Sequence, residues 1–528
     1  MERILPTSVQ DFEKLRREGF VYVDKTQYVW NLVQRKSNYF LSRPRRFGKS
    51  LFISTLEAYF RGKKECFTGL AIESLENDRG SDAWTEYPVI TFYLASGEFY
   101  TDNGLRDKLS DIIDDCARGY GLTEDSFLIE KTLTVRFSNL IKGLKRKYDR
   151  PVVVLVDEYD NPLLKAGSKE REKRNRDLYK SFFSVLKDDD KDLKMAFFTG
   201  VTKFSKVSIF SDLNQLDDIS LWDDFSGICG FTETEIKKHF TPEIREMSEK
   251  QHMTSDECLA ELKDMYDGYH FSENSEDIYN PYSLINALDK KAFDNYWFES
   301  ATPGFLIDKL TSSQFRPEQF VDGVDCTEKQ IKDYRTDNPD PVPLFYQSGY
   351  LTIKEYDSRF RTFSLAFPNR EVRYSFFESL VPYVLGEKDD DNPLSVRNMV
   401  KSIENGDTEG LHDILYSIFA SIPYMEKRDI PYESVWRNQI YLIFELVGEF
   451  VTCEQHTSKG RSDCLLETSE YVYIFEFKVD KSADEALTQI EEKDYAGRFR
   501  ADNRQIIRIG ADFSSTERNI DDWKCTFQ

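Results

Sequence analysis

The sequence predicts an α/β protein with more than one core, and three observations predict it. Short apolar runs that suit buried strands alternate with helically spaced segments over residues 1–205. One of those runs turns through a basic loop into a helix at Gly48-Lys49-Ser50. Near the C-terminus an apolar strand, Tyr471 to Lys478, carries a carboxylate and an amine two residues apart, Glu476 and Lys478. At 528 residues the chain is too long for one core, and about three domains is the length expectation.

Composition narrows the class. The chain is 40% hydrophobic and 31% charged, with 40 Phe and 29 Tyr, which suits large packed cores and argues against long disorder. The formal net charge of -23 sets the average surface against free nucleic acid, so binding there needs a local basic site or a bound metal. Eight cysteines are scattered without a C-x-x-C pair, and five histidines form no ligand spacing with them, which argues against a structural zinc site. Scattered cysteines behind a charged N-terminus, MERILPTSVQDFEKLRREGF, point to a reducing cytoplasm. No run reaches the roughly 18 apolar residues of a membrane helix, so no membrane partner is expected.

Residues 9–19 have the spacing of a short amphipathic helix. Phe20 to Thr26 is expected as a small strand with a cap-like turn, and residues 27–36 return to helix. Tyr39-Phe40-Leu41 then reads as a buried strand, followed by the turn Arg43-Pro44-Arg45-Arg46-Phe47 and an apolar-periodic helix ending at Gly62. Strand, loop and helix are the context of the phosphate-binding pattern G-x-x-x-x-G-K-[ST], here with Arg43 in place of the first Gly. In such a loop, backbone N–H groups and the helix N-terminus hold phosphates, the Lys reaches the β/γ oxygens, and the Ser hydroxyl sits on Mg²⁺. The plain alternative is a basic turn before a surface helix.

Val89 to Leu94 is the next strand, and residues 104–118 and 134–147 are helical. Five consecutive apolar residues, Val152 to Val156, suit a strand buried on both faces of a parallel sheet. Its carboxyl end carries Asp157-Glu158, where ligands sit in doubly wound sheets. An Asp there can hold Mg²⁺ through water, and a following Glu can polarise the attacking water. Alone the pair is also a helix N-cap with a neighbouring charge. Together with Gly48-Lys49-Ser50 it favours a nucleotide. Thr199, at the end of the strand Leu193 to Thr199, is a candidate γ-phosphate sensor, and its plain alternative is a strand-end turn.

Seven stretches carry a family resemblance: YVDKT at 22–26, YFLSRPRRFGKSL at 39–51, VVVLVDEYD at 152–160, TGVTKFSKVSIFSDLNQLDDIS at 199–220, GFTETEI at 230–236, YDGYHF at 266–271 and YNPYSL at 279–284. The chain resembles the bacterial and archaeal AAA-ATPase-like proteins that carry a C-terminal PD-(D/E)XK nuclease-superfamily domain. That resemblance places Arg43 within the family pattern. It implies an ATPase fold and a small helical or winged lid at about 226–290. Residues 290–425 alternate helical stretches with Pro- and Asp-rich breaks and show no catalytic constellation.

From Glu433 the chain changes character. Trp436 to Phe450 is a strongly apolar helix, Val451 to Gln455 a short strand, 486–495 a helix and Ile506 to Ile509 a last strand. Asp463 precedes Glu476 by thirteen residues, and Glu476 and Lys478 share one strand face. Burying a carboxylate and an amine without a task is costly. Two carboxylates together hold Mg²⁺, which polarises a phosphate and generates a water nucleophile, and the lysine orients that water or stabilises charge. By itself E-x-K is common, and its plain alternative is a cross-strand ion pair. With GRSD upstream it forms the D…(D/E)-x-K site; by resemblance Gln489 and Tyr495 match a downstream Gln and Tyr, and because positions six apart do not share a helix face, Gln489 is the expected contact and Tyr495 is expected to pack. Glu454 is a further candidate metal ligand. Residues 426–528 hold 14 Lys and Arg against 21 Asp and Glu, a net acidic segment. Arg498, Arg500, Arg504 and Arg508 are its expected phosphate contacts, and the run at 142–150 is either a second basic patch or a solvated helix end.

The expected organisation is a P-loop ATPase-like domain (1–225), a lid (226–290), a helical connector (291–425) and a restriction-endonuclease-like domain (426–528). Arg46, Gly48, Lys49, Ser50, Asp157 and Thr199 are the expected ATP and Mg²⁺ contacts, with Glu158 as base. Asp463, Glu476, Lys478 and Gln489 are the expected nuclease site, with nucleic acid, DNA foremost, as substrate and an ATP-favoured homo-oligomer as the assembly. The rival is a nucleotide switch whose C-terminal domain only binds nucleic acid or a protein.

Overall fold

The computed structural model describes residues 3–35, 38–122, 132–203, 216–297, 323–332, 340–385, 393–420, 443–444, 447–448, 452–454, 464–499 and 503–528. The chain divides into two compact units, residues 1–302 with 323–371, and residues 303–322 with 372–528. Among the described residues no helix is long and apolar enough to cross a membrane.

The first unit is built on a parallel sheet of β1 (Asn38–Ser42), β2 (Val89–Tyr93), β3 (Val152–Asp157), β4 (Leu193–Gly200) and β5 (Leu216–Asp218), in the order β2-β3-β4-β1-β5. All six residues of β3 are buried, as a strand covered on both faces requires. Much of the aromatic content is spent here. Phe92, Phe137, Phe182, Phe183 and Phe198 interlock, Phe137 stacking on Phe182 at 4.6 Å. The order sets β4 between β1 and β3, so the ends of all three strands open on one rim. Helix Lys49–Phe60 leaves β1 and buries Phe52, Ile53, Leu56 and Phe60. Its N-cap is Gly48 at φ 95°, a left-handed conformation that a side chain resists.

Two expectations are corrected here. Residues 20–26 form no strand, only a bridge from Phe20 to Ile4. The Asp24 carboxylate instead accepts from the Thr26 N–H (2.9 Å) and hydroxyl (2.7 Å) and starts helix Thr26–Arg35. The stretch expected as a helical connector contains an antiparallel sheet, β6 (Val324–Thr327), β7 (Thr352–Asp357) and β8 (Thr362–Ala366), in the order β6-β8-β7. Buried Phe363 and Leu365 alternate with half-buried neighbours in β8, a period of two that the Pro- and Asp-rich breaks around it obscure. That sheet belongs to the first unit.

Residues 226–290 are chiefly helical: Glu233–His239, Thr241–Lys250, Ser255–Tyr266 and Pro281–Lys290. Capping boxes at Thr232/Glu235 and Thr254/Glu257 start two of them. Ile236, Phe240, Met247, Leu262, Tyr266, Leu284 and Leu288 form their common core.

In the second unit a mixed sheet runs β13-β12-β11-β10-β9, with β9 (Thr452–Glu454), β10 (Cys464–Glu467), β11 (Tyr471–Val479), β12 (Gln505–Ser514) and β13 (Asn519–Phe527). Only the β11–β12 pair is parallel, joined through helix Ala483–Glu492. The last strand expected, 506–509, is longer, and β13 follows it. Of the apolar helix expected at 436–450, residues 443–444 and 447–448 are described; Phe444 packs on Phe475 at 5.0 Å.

Candidate nucleotide and nuclease sites

The loop after β1 is held from its first residue. Arg43 is buried, its guanidinium donating to the carbonyls of Ser42 (2.9 Å), Ser220 (2.8 Å) and Phe225 (3.0 Å) and lying 4.2 Å over the Phe271 ring. Where the usual pattern has glycine, this chain has an internal cross-brace. Lys49 is buried as well, and its ammonium donates to the carbonyls of Arg43 and Pro44, each at 2.9 Å. It closes the loop as a point charge on backbone oxygens, the place from which phosphate oxygens can draw it.

The loop lines a cavity of about 440 Å³ with Arg46, Gly48, Lys49, Ser50, Glu158 and Asp160 on its wall. The volume is in the range of small-molecule sites. Pro6, Val9, Leu15, Val21, Phe231 and Ile285 make its apolar side. Arg46 takes φ 66° and packs its guanidinium 4.9 Å over the ring of Tyr282, another wall residue. Nothing lies within 4 Å of where a Cβ on Gly48 would stand, so the backbone there is open to a ligand. A lysine, a hydroxyl and exposed loop N–H groups around such a space are a donor set that fits a nucleotide triphosphate.

At the end of β3, Asp157 is buried and accepts from the Thr199 hydroxyl at 2.6 Å; neither is among the lining residues of the cavity. Glu158, at φ 54°, turns into the cavity instead. Burial pushes its carboxyl above the ordinary value, opposed by Lys49. Burial likewise pulls the Lys49 ammonium below its ordinary value, opposed by Glu158, Asp157 and Asp160. Each charge therefore opposes the effect of burial on the other.

Sequence reasoning missed two cavity residues. Asp160 is buried and its carboxylate accepts from the N–H groups of Val201 (3.0 Å) and Thr202 (2.7 Å) and from the Thr202 hydroxyl (2.8 Å), which fixes the chain leaving β4. Its signal was the third acid in DEYD. Lys25 is buried on the same wall, 2.7 Å from both carboxylate oxygens of Glu235. Its signal was a lysine in the polar turn that follows the apolar run Phe20 to Val23.

In the second unit, Glu476 and Lys478 share the face of β11 that meets helix Ala483–Glu492. The Lys478 ammonium donates to Glu476 Oε1 (2.9 Å) and to Gln489 Oε1 (2.8 Å), and the Gln489 amide nitrogen donates to Glu476 Oε1. Glu476 is 3% exposed, so the charge is held by these partners rather than by water. Gly510 stands opposite Glu476 in β12, and a Cβ there would come within 2.4 Å of the Ala483 carbonyl; only glycine lets the helix settle this low. Gln489 reaches the pair for that reason. Tyr495 is buried in the core beside Ile474 and Ile490.

Asp463 lies outside the described residues. Cys464, which follows it, is in register with Phe475, which precedes Glu476. The backbone of Glu454 pairs with Leu465. Two of the expected phosphate contacts are committed within the chain: Arg504 donates to Glu467 (2.6 Å) and to the Thr468 carbonyl, and Arg508 to Gln528. The segment's net acidity supplies such partners. Arg500 and the side chain of Arg498 lie outside the described residues. In the run at 142–150, Lys142 and Lys145 pair with Asp189 and Asp192, as a solvated helix end would.

Comparison with known proteins agrees with this architecture. Residues 6–210 match the family model of predicted AAA-ATPases. Residues 431–523 match that of the PD-(D/E)XK nuclease superfamily. A curated relative from Azotobacter chroococcum mcd 1, described as an uncharacterized protein in the vnfD 5' region, is 35% identical over 98% of this chain and 97% of its own length. With a phosphate loop at one end and a paired Glu-x-Lys strand at the other, the chain belongs to the family of AAA-ATPase-like proteins that carry a C-terminal PD-(D/E)XK nuclease-superfamily domain.

Proposed function

We propose that the chain binds and hydrolyses ATP in its first unit and cleaves phosphodiester bonds, in DNA, with its C-terminal domain. The observation that supports the nuclease half is the buried cluster of Glu476, Lys478 and Gln489, in which carboxyl, amine and amide groups meet on one strand face. Such burial is costly and fits a group that must meet an anion.

In the nucleotide half, Lys49 exchanges the Arg43 and Pro44 carbonyls for β/γ-phosphate oxygens. Ser50, and Asp157 through water, would hold a Mg²⁺ ion, which would offset phosphate charge. Glu158 accepts a proton from the attacking water, and burial suits it by raising its proton affinity. Thr199 fixes the Asp157 carboxylate.

In the nuclease half, Asp463 and Glu476 would hold a Mg²⁺ ion, whose chemistry there would be to polarise the phosphate and acidify a water. Lys478 places positive charge beside that phosphate, and Gln489 holds Lys478 and Glu476 in register. One site per chain cuts one strand, so cutting both strands together calls for an ATP-favoured oligomer of two or more copies.

Cleavage of plasmid and linear DNA in Mg²⁺, Mn²⁺ and Ca²⁺, with and without ATP, tests the reading. Cutting in Mg²⁺ or Mn²⁺ and little in Ca²⁺ is expected, because looser Ca²⁺ coordination positions water less well. Light scattering with and without ATP tests the assembly, and a monomer in both states refutes it. The commitment of Arg504 and Arg508 to internal partners favours a second reading, a nucleotide switch that binds without cutting. Absence of cleavage in every metal and nucleotide state selects it.

A further inference from the structure

Five carbonyls of the loop, those of Arg43, Pro44, Arg45, Phe47 and Gly48, each accept a hydrogen bond. Those of Arg43 and Pro44 accept from Lys49, and that of Gly48 accepts from the Phe52 N–H inside the helix. The Phe47 carbonyl accepts from the Gly230 N–H at 3.2 Å. The Arg45 carbonyl accepts from the indole N–H of Trp297 at 3.0 Å, from a residue 252 positions away. In a trans peptide the N–H that follows a carbonyl points the opposite way. A donor behind the Arg45 carbonyl therefore sets the direction of the Arg46 N–H, and Arg46 is on the cavity wall.

Trp297 is itself held. It is fully buried, its ring meets Tyr350 edge-on at 5.2 Å, and its backbone N–H donates to Glu371 at 2.7 Å. The same carboxyl oxygen accepts from the hydroxyl of Ser283, next to the Tyr282 that carries Arg46. The indole is thus a fixed donor on a rigid support.

We propose that Trp297 is a positioning residue of the nucleotide site, whose indole N–H locks the Arg45–Arg46 peptide so that the Arg46 N–H meets the β- and γ-phosphates. The inference rests on the reading of this loop as a triphosphate cradle. Its weight falls on the bound state. Without nucleotide, Lys49 ties the loop to itself, and an unheld Arg45 carbonyl can turn toward water in the cavity. With phosphate in place Lys49 is drawn away, and a carbonyl turned inward would face an anion.

The test is Trp297→Phe in the full chain, which keeps an aromatic ring against Tyr350 and removes the donor. Titration calorimetry with a slowly hydrolysed ATP analogue and Mg²⁺ should show binding on the order of tenfold weaker than wild type, the effect of one lost buried hydrogen bond. The melting temperature without nucleotide should hold near wild type while its rise on adding the analogue shrinks. A purely structural role does the reverse, and a lowered nucleotide-free melting temperature with unchanged affinity overturns the proposal. If wild type itself binds no analogue, the cradle reading has failed instead. Should the variant not fold, wild type labelled at its six tryptophan indoles reports directly by NMR. One indole N–H must be protected from exchange and shift when the analogue binds; no protected, responding signal overturns the inference.

Discussion

Replacing Arg43 by glycine would restore the usual phosphate-loop pattern, and the structure predicts that it damages the protein. The guanidinium donates to three carbonyls between 2.8 and 3.0 Å and to a fourth, Ser226, at 3.4 Å. Arg43 is 2% exposed, so water does not replace it freely. Leaving the Ser220 and Phe225 carbonyls without their donor costs about 1–3 kcal/mol each, and loss of the contact over Phe271 adds about 1 kcal/mol. Release of a buried charge returns part of this. The net expectation for Arg43→Gly is a loss of about 3–5 kcal/mol in the first unit, with weaker ATP binding because the base of the loop is no longer tied to the chain beyond β5. Arg43→Lys should fall between, since an ammonium lacks the planar fork that reaches Ser220 and Phe225 together. Urea unfolding of the full chain, followed by circular dichroism, measures the first effect and calorimetry the second. An Arg43→Gly variant that unfolds with wild type and binds ATP as tightly refutes the bracing role.

Further predictions concern the charged groups. Lys49→Ala should abolish ATP binding, whereas Glu158→Gln should keep binding and lose hydrolysis; equal hydrolysis by wild type and Glu158→Gln removes the base assignment. Because burial raises the proton affinity of Glu158, the acid limb of the ATPase profile should lie above the ordinary glutamate value of about 4.3, with activity lost as pH falls through it. Glu476→Ala and Asp463→Ala should each end metal-dependent cleavage without unfolding the domain, while Lys478→Ala should keep metal binding and lose cleavage; calorimetry beside a nicking assay separates the two. Burial pushes Glu371 up to about 8. It then stays protonated in the folded chain while ionised in the unfolded one, so its contribution to stability is fully present below about pH 4.3 and lost progressively up to about pH 8. Glu371→Gln cannot ionise, so its melting temperature should gain on wild type across that window, and a constant difference refutes the assignment.

Features encoded within a few consecutive residues were legible in the sequence. Gly48-Lys49-Ser50 after a buried strand, Asp157-Glu158 at the end of an all-apolar strand, and Glu476 with Lys478 on one face are local patterns whose periods and spacings carry their meaning. A helix after β11 was also legible, expected over 486–495 and found at Ala483–Glu492, and with it Gln489, although resemblance rather than spacing singled that residue out. The antiparallel sheet β6-β8-β7 was not, because its strands are short, interrupted and paired across a gap in sequence.

Which partners Arg43, Arg504 and Arg508 hold was decided only by tertiary packing. Arg43 looked like a departure from a phosphate-binding pattern; its partners at Ser220 and Phe225 lie 177 and 182 residues further on and make it a brace. Arg504 and Arg508 looked available to phosphate until Glu467 and Gln528 were found beside them. Local sequence determines which backbone a segment favours and which side chains share a face. It does not determine which distant carbonyl, carboxylate or ring lies opposite, and for a buried charge that partner decides whether it braces the fold or waits for a ligand.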